Sequence, residues 1–283
     1  MVYNRTSKSI DEDIQYGKKY LNFLYNTFFG RIVLKLVINS IFSKIYGKYN
    51  NISISKKKIK RFINKYNINI KEYEEKEYVS FNDFIIRKKK ETYYDKRKNV
   101  FIAPADSKLL IYKIKDDMTI KIKQSIYTIE ELILDDIDLK QFKNGNCFIF
   151  RLSMDDYHRY CYIDSGKIER VKKIKGKLHT VSSISNKHKV YSQNTRICNY
   201  MTTDNFGEII YIEVGALLVG KINNCNKNNY NKGDEKGYFE LGGSTIVILT
   251  SDKIKIDDDI IEYSSKGIET KVKYGEKIGE LKC

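Results

Sequence analysis

Three short segments hold the residues of this chain whose types suit chemistry. They are Ala-Pro-Ala-Asp at 103–106, Asp-Asp-Tyr-His-Arg-Tyr-Cys at 155–161 and Phe-Glu-Leu-Gly-Gly-Ser-Thr at 239–245. They offer a carboxylate, an imidazole and a hydroxyl, which are groups that transfer protons or act as nucleophiles. Taken alone, the first segment is typical of a turn with an aspartate cap, and the third of a bend that enters a strand. Each segment by itself is therefore a weak indication of function.

The elements that must position these segments begin after residue 100. Short runs rich in Ile, Val, Tyr and Phe alternate there with polar turns. The runs are KLLIYKI, MTIKIK, CFIFRLS, EIIYIEVGALLVGKI, STIVILTS and GIETKVKYG. This spacing predicts a mostly antiparallel β core with a short helix near 129–134. The expected fold class is α+β, with a basic helical N-terminal region followed by that β-rich core.

The N-terminal region carries an unbalanced charge. The whole chain has 52 Lys+Arg and 36 Asp+Glu, a formal net charge of +16. Residues 1–100 hold 23 basic and 10 acidic residues, which leaves only +3 for the remainder. Residues 14–71 contain 13 basic residues and no acidic one, and a general bias toward lysine would not remove acids from one block. Such a field attracts an anionic surface, either phospholipid headgroups or nucleic acid.

Apolar residues are interleaved with these charges over 20–46, where the chain reads YLNFLYNTFFGRIVLKLVINSIFSKIY. A membrane-spanning helix needs about 20 consecutive apolar residues. The uncharged runs are shorter, so we expect no transmembrane segment. The acidic start and the absence of a small-residue cleavage site argue against a signal peptide. Gly30 and Gly47 predict two helices, over 17–29 and 31–46. Apolar residues with basic flanks are typical of helices that lie in a membrane interface, although such helices can equally pack on the domain.

Nucleic acid, disulfides, metal ions and a bound cofactor are not expected. Residues 53–70 predict a short helix with one apolar face and one basic face, without a helix-turn-helix pattern or aromatic stacking residues. The five cysteines are widely spaced, and the chain has neither a CxxC motif nor a His/Cys cluster. These spacings are typical neither of a zinc ribbon nor of a disulfide framework.

Taken together and in this order, the segments resemble the phosphatidylserine decarboxylase family. The likeness runs through nearly the whole chain. The matching stretches are FNDFIIR (81–87), APAD (103–106), DYHRY (156–160), GKLHTV (176–181), NTR (194–196), VGALLVGKI (214–222), KGDEKGYFELGGST (232–245) and VKYGEKIGEL (272–281). The stretch 232–245 is the specific part, because there the family cuts its own chain and makes its own cofactor.

The resemblance implies decarboxylation of phosphatidylserine to phosphatidylethanolamine. Loss of the carboxylate leaves a carbanion, which requires an electron sink. In this family the sink is a pyruvoyl group of the chain itself, which holds the substrate as a Schiff base. Here Ser244 would attack the carbonyl of Gly243, cut the chain and become the pyruvoyl group. The products would be a β chain of residues 1–243 and an α chain of the remaining 40 residues, 244–283.

One position departs from the family pattern. The family activates its serine with an aspartate and a histidine, which carries over onto Asp106 and the histidine segment. The family motif commonly reads His-Arg-x-His, and the second histidine is here Cys161. His158 is expected to serve as acid or base in the decarboxylation. The base of the self-cleavage relay is left open between His158, His179 and the thiolate of Cys161, which cannot mimic an imidazole paired with an aspartate.

We expect residues 1–75 to form a basic amphipathic region that associates with membranes, and residues 76–283 to form the decarboxylase core. The expected partners are phosphatidylserine in an anionic membrane and, after cleavage, the α and β chains bound to each other as a heterodimer. The protein would be peripheral, on the cytoplasmic side of the cell membrane. An alternative is a membrane-binding homologue that is never processed and has no activity.

Overall fold

A computed structural model of the chain describes residues 1–13, 17–123, 125–181, 183–185, 189–217, 221–225, 227–241 and 244–282. The helices in these ranges are α1 (Lys18–Asn26), α2 (Phe28–Val37), α3 (Ser40–Asn51), α4 (Lys57–Tyr66), α5 (Phe81–Ile85), α6 (Ile129–Ile133), α7 (Val190–Gln193) and α8 (Asp258–Ser265). The strands are β1 (Val2–Asn4), β2 (Ser9–Asp11), β3 (Val100–Ile102), β4 (Ser107–Lys113), β5 (Thr119–Ile122), β6 (Ser125–Thr128), β7 (Asn146–Leu152), β8 (Arg159–Cys161), β9 (Gly166–Ile174), β10 (Arg196–Thr203), β11 (Gly207–Val214), β12 (Ile222–Asn224), β13 (Asn229–Tyr230), β14 (Glu235–Phe239), β15 (Ser244–Thr250), β16 (Ile254–Ile256), β17 (Glu269–Val272) and β18 (Lys277–Leu281).

One large sheet organises the core, with the strand order β13-β9-β10-β11-β15-β7-β4-β17-β1-β2. Its strands pair antiparallel, except that β1 and β17 are parallel. Two three-stranded sheets, β12-β14-β8 and β16-β18-β3, and the β5-β6 hairpin complete the β structure of the described residues. Each of the six apolar runs contains a strand, and α6 lies at the predicted position. The expected α+β class with a mostly antiparallel core is confirmed.

Both faces of the large sheet are covered, so its central strands are apolar on both sides. Along β15, Ile246 and Ile248 belong to one buried cluster, and Val247 and Leu249 belong to another. This division follows from the alternation of side chains along a strand. A strand that is buried on both faces reads as a continuous apolar run. The strand that begins with Ser244 is therefore held firmly in the middle of the core.

The apolar segment 20–46 forms three helices, so the expectation of two helices that end near glycines is wrong. The breaks lie at Thr27 and Asn39, whose side chains accept hydrogen bonds from the first turns of α2 and α3. Such caps satisfy backbone N–H groups that have no partner inside the helix. Gly30 lies inside α2, where a Cβ would come within 1.8 Å of the carbonyl oxygen of Phe23. Glycine at this position allows α1 and α2 to approach closely.

The first residues of the chain belong to the sheet, although they fall in the segment expected to be helical. Strand β1 pairs with β17, and β2 pairs with β1. Arg5 forms ion pairs of 2.8 Å with Asp257, Asp259 and Glu276. The N-terminus is thereby anchored to the C-terminal part of the core. The proposed domain boundary near residue 75 stays a prediction.

Helices α1 and α2 pack on the core through one face only. That face buries Tyr25, Leu34 and Ile38, with Leu217 of the core against them. In addition, the backbone N–H of Leu178 donates to the carbonyl oxygen of Ile38 at 2.9 Å. In the described part of the chain, no helix has the length and apolar character that crossing a membrane requires.

Candidate active site

One edge of the large sheet brings together the segments that the sequence singled out. At this edge β15 begins at Ser244, which pairs with Leu152 at the end of β7. On its other side, β15 pairs with the end of β11. Strand β7 also pairs with β4, which begins directly after Asp106. Neighbouring strands lie about 5 Å apart, so the backbones of Asp106 and Ser244 are separated by roughly two strand spacings.

The hydroxyl of Ser244 is buried and unpaired. The residue has 0% of its surface exposed, and Oγ has no hydrogen-bond partner among the residues that the structure describes. The hydroxyl of the neighbouring Thr245 is also unpaired there. A buried polar group without a partner costs about 1–3 kcal/mol, so it requires an explanation. Gly242 and Gly243, on the other side of the predicted cleavage site, lie outside the described residues.

His158 lies in the loop between β7 and β8, and its side chain is fully buried. Its Nδ1 is 2.8 Å from the backbone carbonyl oxygen of Asp156. Because a carbonyl oxygen can only accept, Nδ1 carries the proton, and the lone pair of the neutral ring lies on Nε2. The carbonyl oxygen of His158 accepts a hydrogen bond of 3.0 Å from the N–H of Phe239. This bond holds the histidine next to the segment that leads into Ser244.

A buried ion pair anchors the histidine loop to β4. The ammonium of Lys108 lies 2.6 Å from a carboxylate oxygen of Asp156, which also accepts a hydrogen bond of 2.8 Å from the N–H of Ser153. Burial would lower the pKa of Lys108, but the charges of Asp156 and Asp155 outweigh burial and raise it. The lysine therefore stays charged, and the pair fixes the loop that carries His158.

Asp106 is a buried carboxylate held by cations. One oxygen lies 3.0 Å from the ammonium of Lys89 and 3.6 Å from that of Lys273. The other oxygen accepts a hydrogen bond of 2.8 Å from the N–H of Tyr274. Burial would raise the pKa of Asp106, but the two ammonium groups and the N–H group outweigh burial and lower it. In the part of the chain that is described, no histidine hydrogen-bonds to Asp106, so the relay from Asp106 through a base to Ser244 stays a prediction.

Lys89 connects Asp106 to the histidine loop, and sequence reasoning missed it. Its backbone N–H donates to the hydroxyl of Tyr157 at 3.3 Å, and its ammonium lies 4.7 Å from the centre of the Tyr157 ring. Tyr157 directly precedes His158 in the chain. A lysine inside the run Lys88–Lys89–Lys90 has no local feature that marks it. Only the fold places its charge between the two segments.

Cys161, which stands where the family has its second histidine, lies in the apolar core. Its side chain is fully buried, and its N–H donates to the carbonyl oxygen of Pro104 at 2.9 Å. Burial raises the pKa of the thiol to about 12, although a hydrogen bond with the Tyr274 hydroxyl opposes the shift. A thiol with this pKa stays protonated at neutral pH. The geometry therefore favours a supporting role for Cys161, through its backbone contact with segment 103–106, over a role as proton acceptor.

His179 approaches the same edge from the side of β11. Its backbone N–H donates to the side-chain oxygen of Asn194 at 2.9 Å. The amide nitrogen of Asn194 donates to the carbonyl oxygens of His179 and Gly215, both at 2.8 Å. Gly215 directly follows β11, beside the start of β15. The Nδ1 atom of His179 is 3.1 Å from the hydroxyl of Tyr25, a contact that no local sequence pattern indicated. His188, the third histidine of the chain, lies outside the described residues.

A fully buried ion pair lies near Ser244 on the same face of the sheet. It joins Glu213 of β11 to Lys236 of β14, which are 0% and 1% exposed. Glu213 pairs with Ile246, which is two residues from Ser244 along β15 and therefore shares its face. The ammonium lies 4.8 Å from the centre of the Tyr211 ring. Burial lowers the pKa of Lys236, and Glu213 opposes this shift. The pair was not predicted, because the sequence does not show that β11 and β14 meet.

Comparisons with known proteins identify the family. A family model described as phosphatidylserine decarboxylase matches residues 81–280, which include all three segments. Phosphatidylserine decarboxylase proenzyme 2 of Clostridium acetobutylicum is 55% identical to the chain over 284 residues, covering 99% of this chain and 98% of that protein. The phosphatidylserine decarboxylase proenzyme of Clostridium beijerinckii is 41% identical over 292 residues, covering 98% of both chains. That of Clostridium tetani is also 41% identical over 292 residues, covering 99% of this chain and 98% of its own.

Proposed function

Because this chain belongs to the phosphatidylserine decarboxylase family, we propose that it converts phosphatidylserine to phosphatidylethanolamine with a pyruvoyl group made from Ser244. The observation that carries the proposal is the buried hydroxyl of Ser244. It directly follows two glycines in the sequence and has no hydrogen-bond partner among the described residues. A hydroxyl that makes no structural hydrogen bond fits the part of a nucleophile.

The first reaction in this proposal is a cut of the chain by Ser244. Its Oγ attacks the carbonyl carbon of Gly243 while a base takes the hydroxyl proton, and the amide nitrogen leaves as an amine, so that an ester replaces the amide. Removal of the Cα proton of residue 244 then expels the carboxylate of Gly243 and leaves dehydroalanine. Addition of water and release of ammonia produce the pyruvoyl end. Glycine before the cut bond suits this attack, because it has no Cβ to block the approach.

We propose His158 as the base for the cut. Its Nδ1 donates to the carbonyl oxygen of Asp156, so the neutral ring has its lone pair on Nε2, as a base requires. Cys161 keeps its proton at neutral pH and does not compete for this role. In the proposal, Asp106 acts on the histidine loop through Lys89, which contacts both Asp106 and Tyr157.

The decarboxylation itself requires an electron sink and a site that excludes water and returns a proton. The pyruvoyl group supplies the electron sink for the carbanion that remains when carbon dioxide leaves. The chain must exclude water and return a proton to the carbon that lost its carboxylate. The full burial of Ser244 supports the exclusion of water from this place. His158 and His179 are both buried imidazoles, and they are the groups that we propose for the return of the proton.

Helices α1–α3 support a peripheral association with an anionic membrane. Large apolar side chains are exposed on them, namely Tyr20, Phe23, Phe28, Phe29, Ile32, Val33, Leu36, Ile41, Phe42, Ile45 and Tyr49. Exposed apolar groups of this number mark a surface that meets a partner. The surrounding block 14–71 is basic without any acidic residue, which suits phosphatidylserine headgroups. We therefore place the enzyme on the cytoplasmic surface of the cell membrane, where its substrate is located.

Mass spectrometry of the purified chain tests the proposal. The wild type should give fragments of 243 and 40 residues, and the smaller one should resist Edman degradation because a pyruvoyl end has no amine. Ser244→Ala should remain a single chain without decarboxylase activity. Ser43→Ala is a matched control, since Ser43 is also buried with a hydroxyl that is unpaired within the described ranges, and it should be cut normally. Full activity in an uncut wild-type chain would overturn the proposal.

A membrane-binding homologue without activity is the second candidate function, and the exposed apolar surface of α1–α3 supports it equally. Such a protein would bind vesicles that contain phosphatidylserine, remain a single chain and release no carbon dioxide. Family membership and the buried, unpaired hydroxyl of Ser244 favour the enzyme.

A further inference from the structure

Helix α1 brings one side chain into contact with His179. Tyr25 is buried, and its hydroxyl accepts a hydrogen bond of 3.1 Å from the N–H of Thr180. The same hydroxyl lies 3.1 Å from Nδ1 of His179, whose side chain is also buried. A helix of the basic N-terminal region therefore contacts a histidine at the edge where β15 begins.

The protons on these groups decide what His179 can do. A phenol is a better donor than acceptor, and the Tyr25 oxygen already accepts the N–H of Thr180. Nδ1 of a neutral imidazole is a strong acceptor for the one proton of the phenol. Burial raises the pKa of Tyr25 to about 12, while the Thr180 N–H opposes the shift, so the phenol keeps this proton at neutral pH.

We propose that Tyr25 is a positioning residue, whose O–H···Nδ1 hydrogen bond holds the neutral ring of His179 with its proton on Nε2. The consequence of this tautomer rests on the proposed function. His179 then carries a proton donor at Nε2 and is the acid that returns a proton to the substrate carbon. As Nε2 gives up its proton, Nδ1 takes the phenol proton of Tyr25, so the ring stays neutral, and a proton from water restores the phenol. His158 is held in the opposite tautomer by the carbonyl of Asp156 and acts as the base. Two histidines with opposite tautomers divide the acid and base work between them.

Nitrogen-15 NMR of histidine-labelled protein measures the tautomer and needs no turnover. The chain has only three histidines, and His179→Gln identifies the signals of His179. In the uncut Ser244→Ala chain, we expect His179 to show a protonated Nε2 and an unprotonated Nδ1, and His158 to show the reverse. In Ser244→Ala/Tyr25→Phe, the two nitrogens of His179 should move toward the average of both tautomers.

Tyr200→Phe is the matched control for the NMR experiment. It removes another buried tyrosine hydroxyl, which donates to Asp135 at 2.7 Å, and it should leave the signals of His179 unchanged. A proton on Nδ1 of His179 while Tyr25 is intact would overturn the assignment, whatever Tyr25→Phe does to folding. Unchanged His179 signals in a folded Tyr25→Phe protein would also overturn it. A wild type that neither cuts itself nor decarboxylates would refute the proposed function only, because the NMR result does not depend on activity.

Decarboxylase kinetics give a second measurement. Tyr25→Phe should lower kcat by about tenfold and change KM by less than about twofold, because it removes one hydrogen bond that matters for the proton transfer. In a His179→Gln background the same substitution should cost less than about twofold, because Tyr25 acts through His179. Equal losses in both backgrounds would show that Tyr25 acts by another route and would overturn the proposal.

Discussion

The sheet edge around Ser244 and the helices α1–α3 differ in whether their positive charges are balanced by carboxylates. At the edge, buried lysines are each paired with a carboxylate, as in Lys108–Asp156 and Lys236–Glu213. On the helices, large apolar side chains face outward among basic residues, and no acidic residue lies within 14–71. Paired and buried groups hold fixed positions, which chemistry requires. An apolar surface with excess positive charge lacks its complement within the chain, and it is suited to a partner outside the chain.

Disruption of the buried Lys236–Glu213 ion pair should have the largest effect on stability. Lys236→Met leaves the carboxylate of Glu213 at 0% exposure without its cation, although the amide of Asn199 still donates to it. This should cost about 3–5 kcal/mol of unfolding free energy. Urea unfolding of the uncut Ser244→Ala chain measures the loss. Lys266→Met is the control, because its pair with Glu262 is more than half exposed on both sides and should contribute almost nothing. A loss below about 1 kcal/mol for Lys236→Met would mean that the edge is not held by its buried charges.

The histidine at the edge should show the next largest effect, and the effect should be on the rate of the cut. His158→Ala should slow self-cleavage by about a hundredfold or more, because it removes the proposed base. Asp106→Asn should slow the same step by a smaller factor of about ten, because Asp106 acts on the histidine loop indirectly, through Lys89. Time courses on denaturing gels measure both rates. If His158→Ala is cut at the wild-type rate, the base of self-cleavage is a different residue. If this variant is cut normally but does not decarboxylate, His158 acts in the decarboxylation step instead.

The exposed apolar surface of α1–α3 is the proposed docking surface for the membrane. Loss of its apolar groups should weaken vesicle binding without changing self-cleavage. Phe28, Phe29 and Leu36 are 68%, 72% and 69% exposed. Replacing all three by serine should lower the affinity for vesicles containing phosphatidylserine by about tenfold or more, because each buried apolar side chain contributes to membrane binding. Co-sedimentation measures the affinity, and added salt should weaken binding of the wild type without abolishing it.

Three exposed apolar residues outside the helices provide the matched control for the vesicle experiment. Val79, Ile126 and Leu134 are 63%, 56% and 56% exposed, and their replacement by serine should leave vesicle binding unchanged. Equal losses in both triple variants would show that the helices are not the docking surface.

Acid should reveal a smaller, pH-dependent contribution from Asp106. Its pKa is lowered in the folded protein, since Lys273 and Lys89 outweigh the effect of burial. The carboxylate therefore stabilises the fold above its unfolded pKa of about 4, and this contribution is lost as the pH falls through the lower folded pKa. Comparison of Ser244→Ala with Ser244→Ala/Asp106→Asn in urea at pH 7 and below pH 4 measures it. The difference in stability between the two should shrink on acidification, and a constant difference would contradict the shift.

The sequence was informative where the signal is local. The apolar run that starts at Ser244 predicts a strand, and segments 103–106, 155–161 and 239–245 stand out in the sequence by their residue types. The sequence was silent on Tyr25 and Lys89, since their importance comes only from what lies opposite them in space.

The two helix boundaries were missed for a different reason. The side chains of Thr27 and Asn39 cap the following helices and outweigh the signal from the glycines. Gly30 was interpreted as a helix end, although the close approach of α1 to α2 requires it.

The position of β15 has a consequence for how the cut protein unfolds and reassembles. This strand lies between β11 and β7, and β17 lies between β4 and β1, so residues after 243 are woven into the sheet at two places. A cut before Ser244 would leave the two fragments interlocked in the sheet. Unfolding of the cut protein would then include dissociation of two chains, so the midpoint of the unfolding transition would depend on protein concentration. Reassembly would have to insert a short separate chain between β11 and β7 and between β4 and β1. The mature protein would then be kinetically stable, because it unfolds slowly. It would form by folding of the uncut chain followed by self-cleavage.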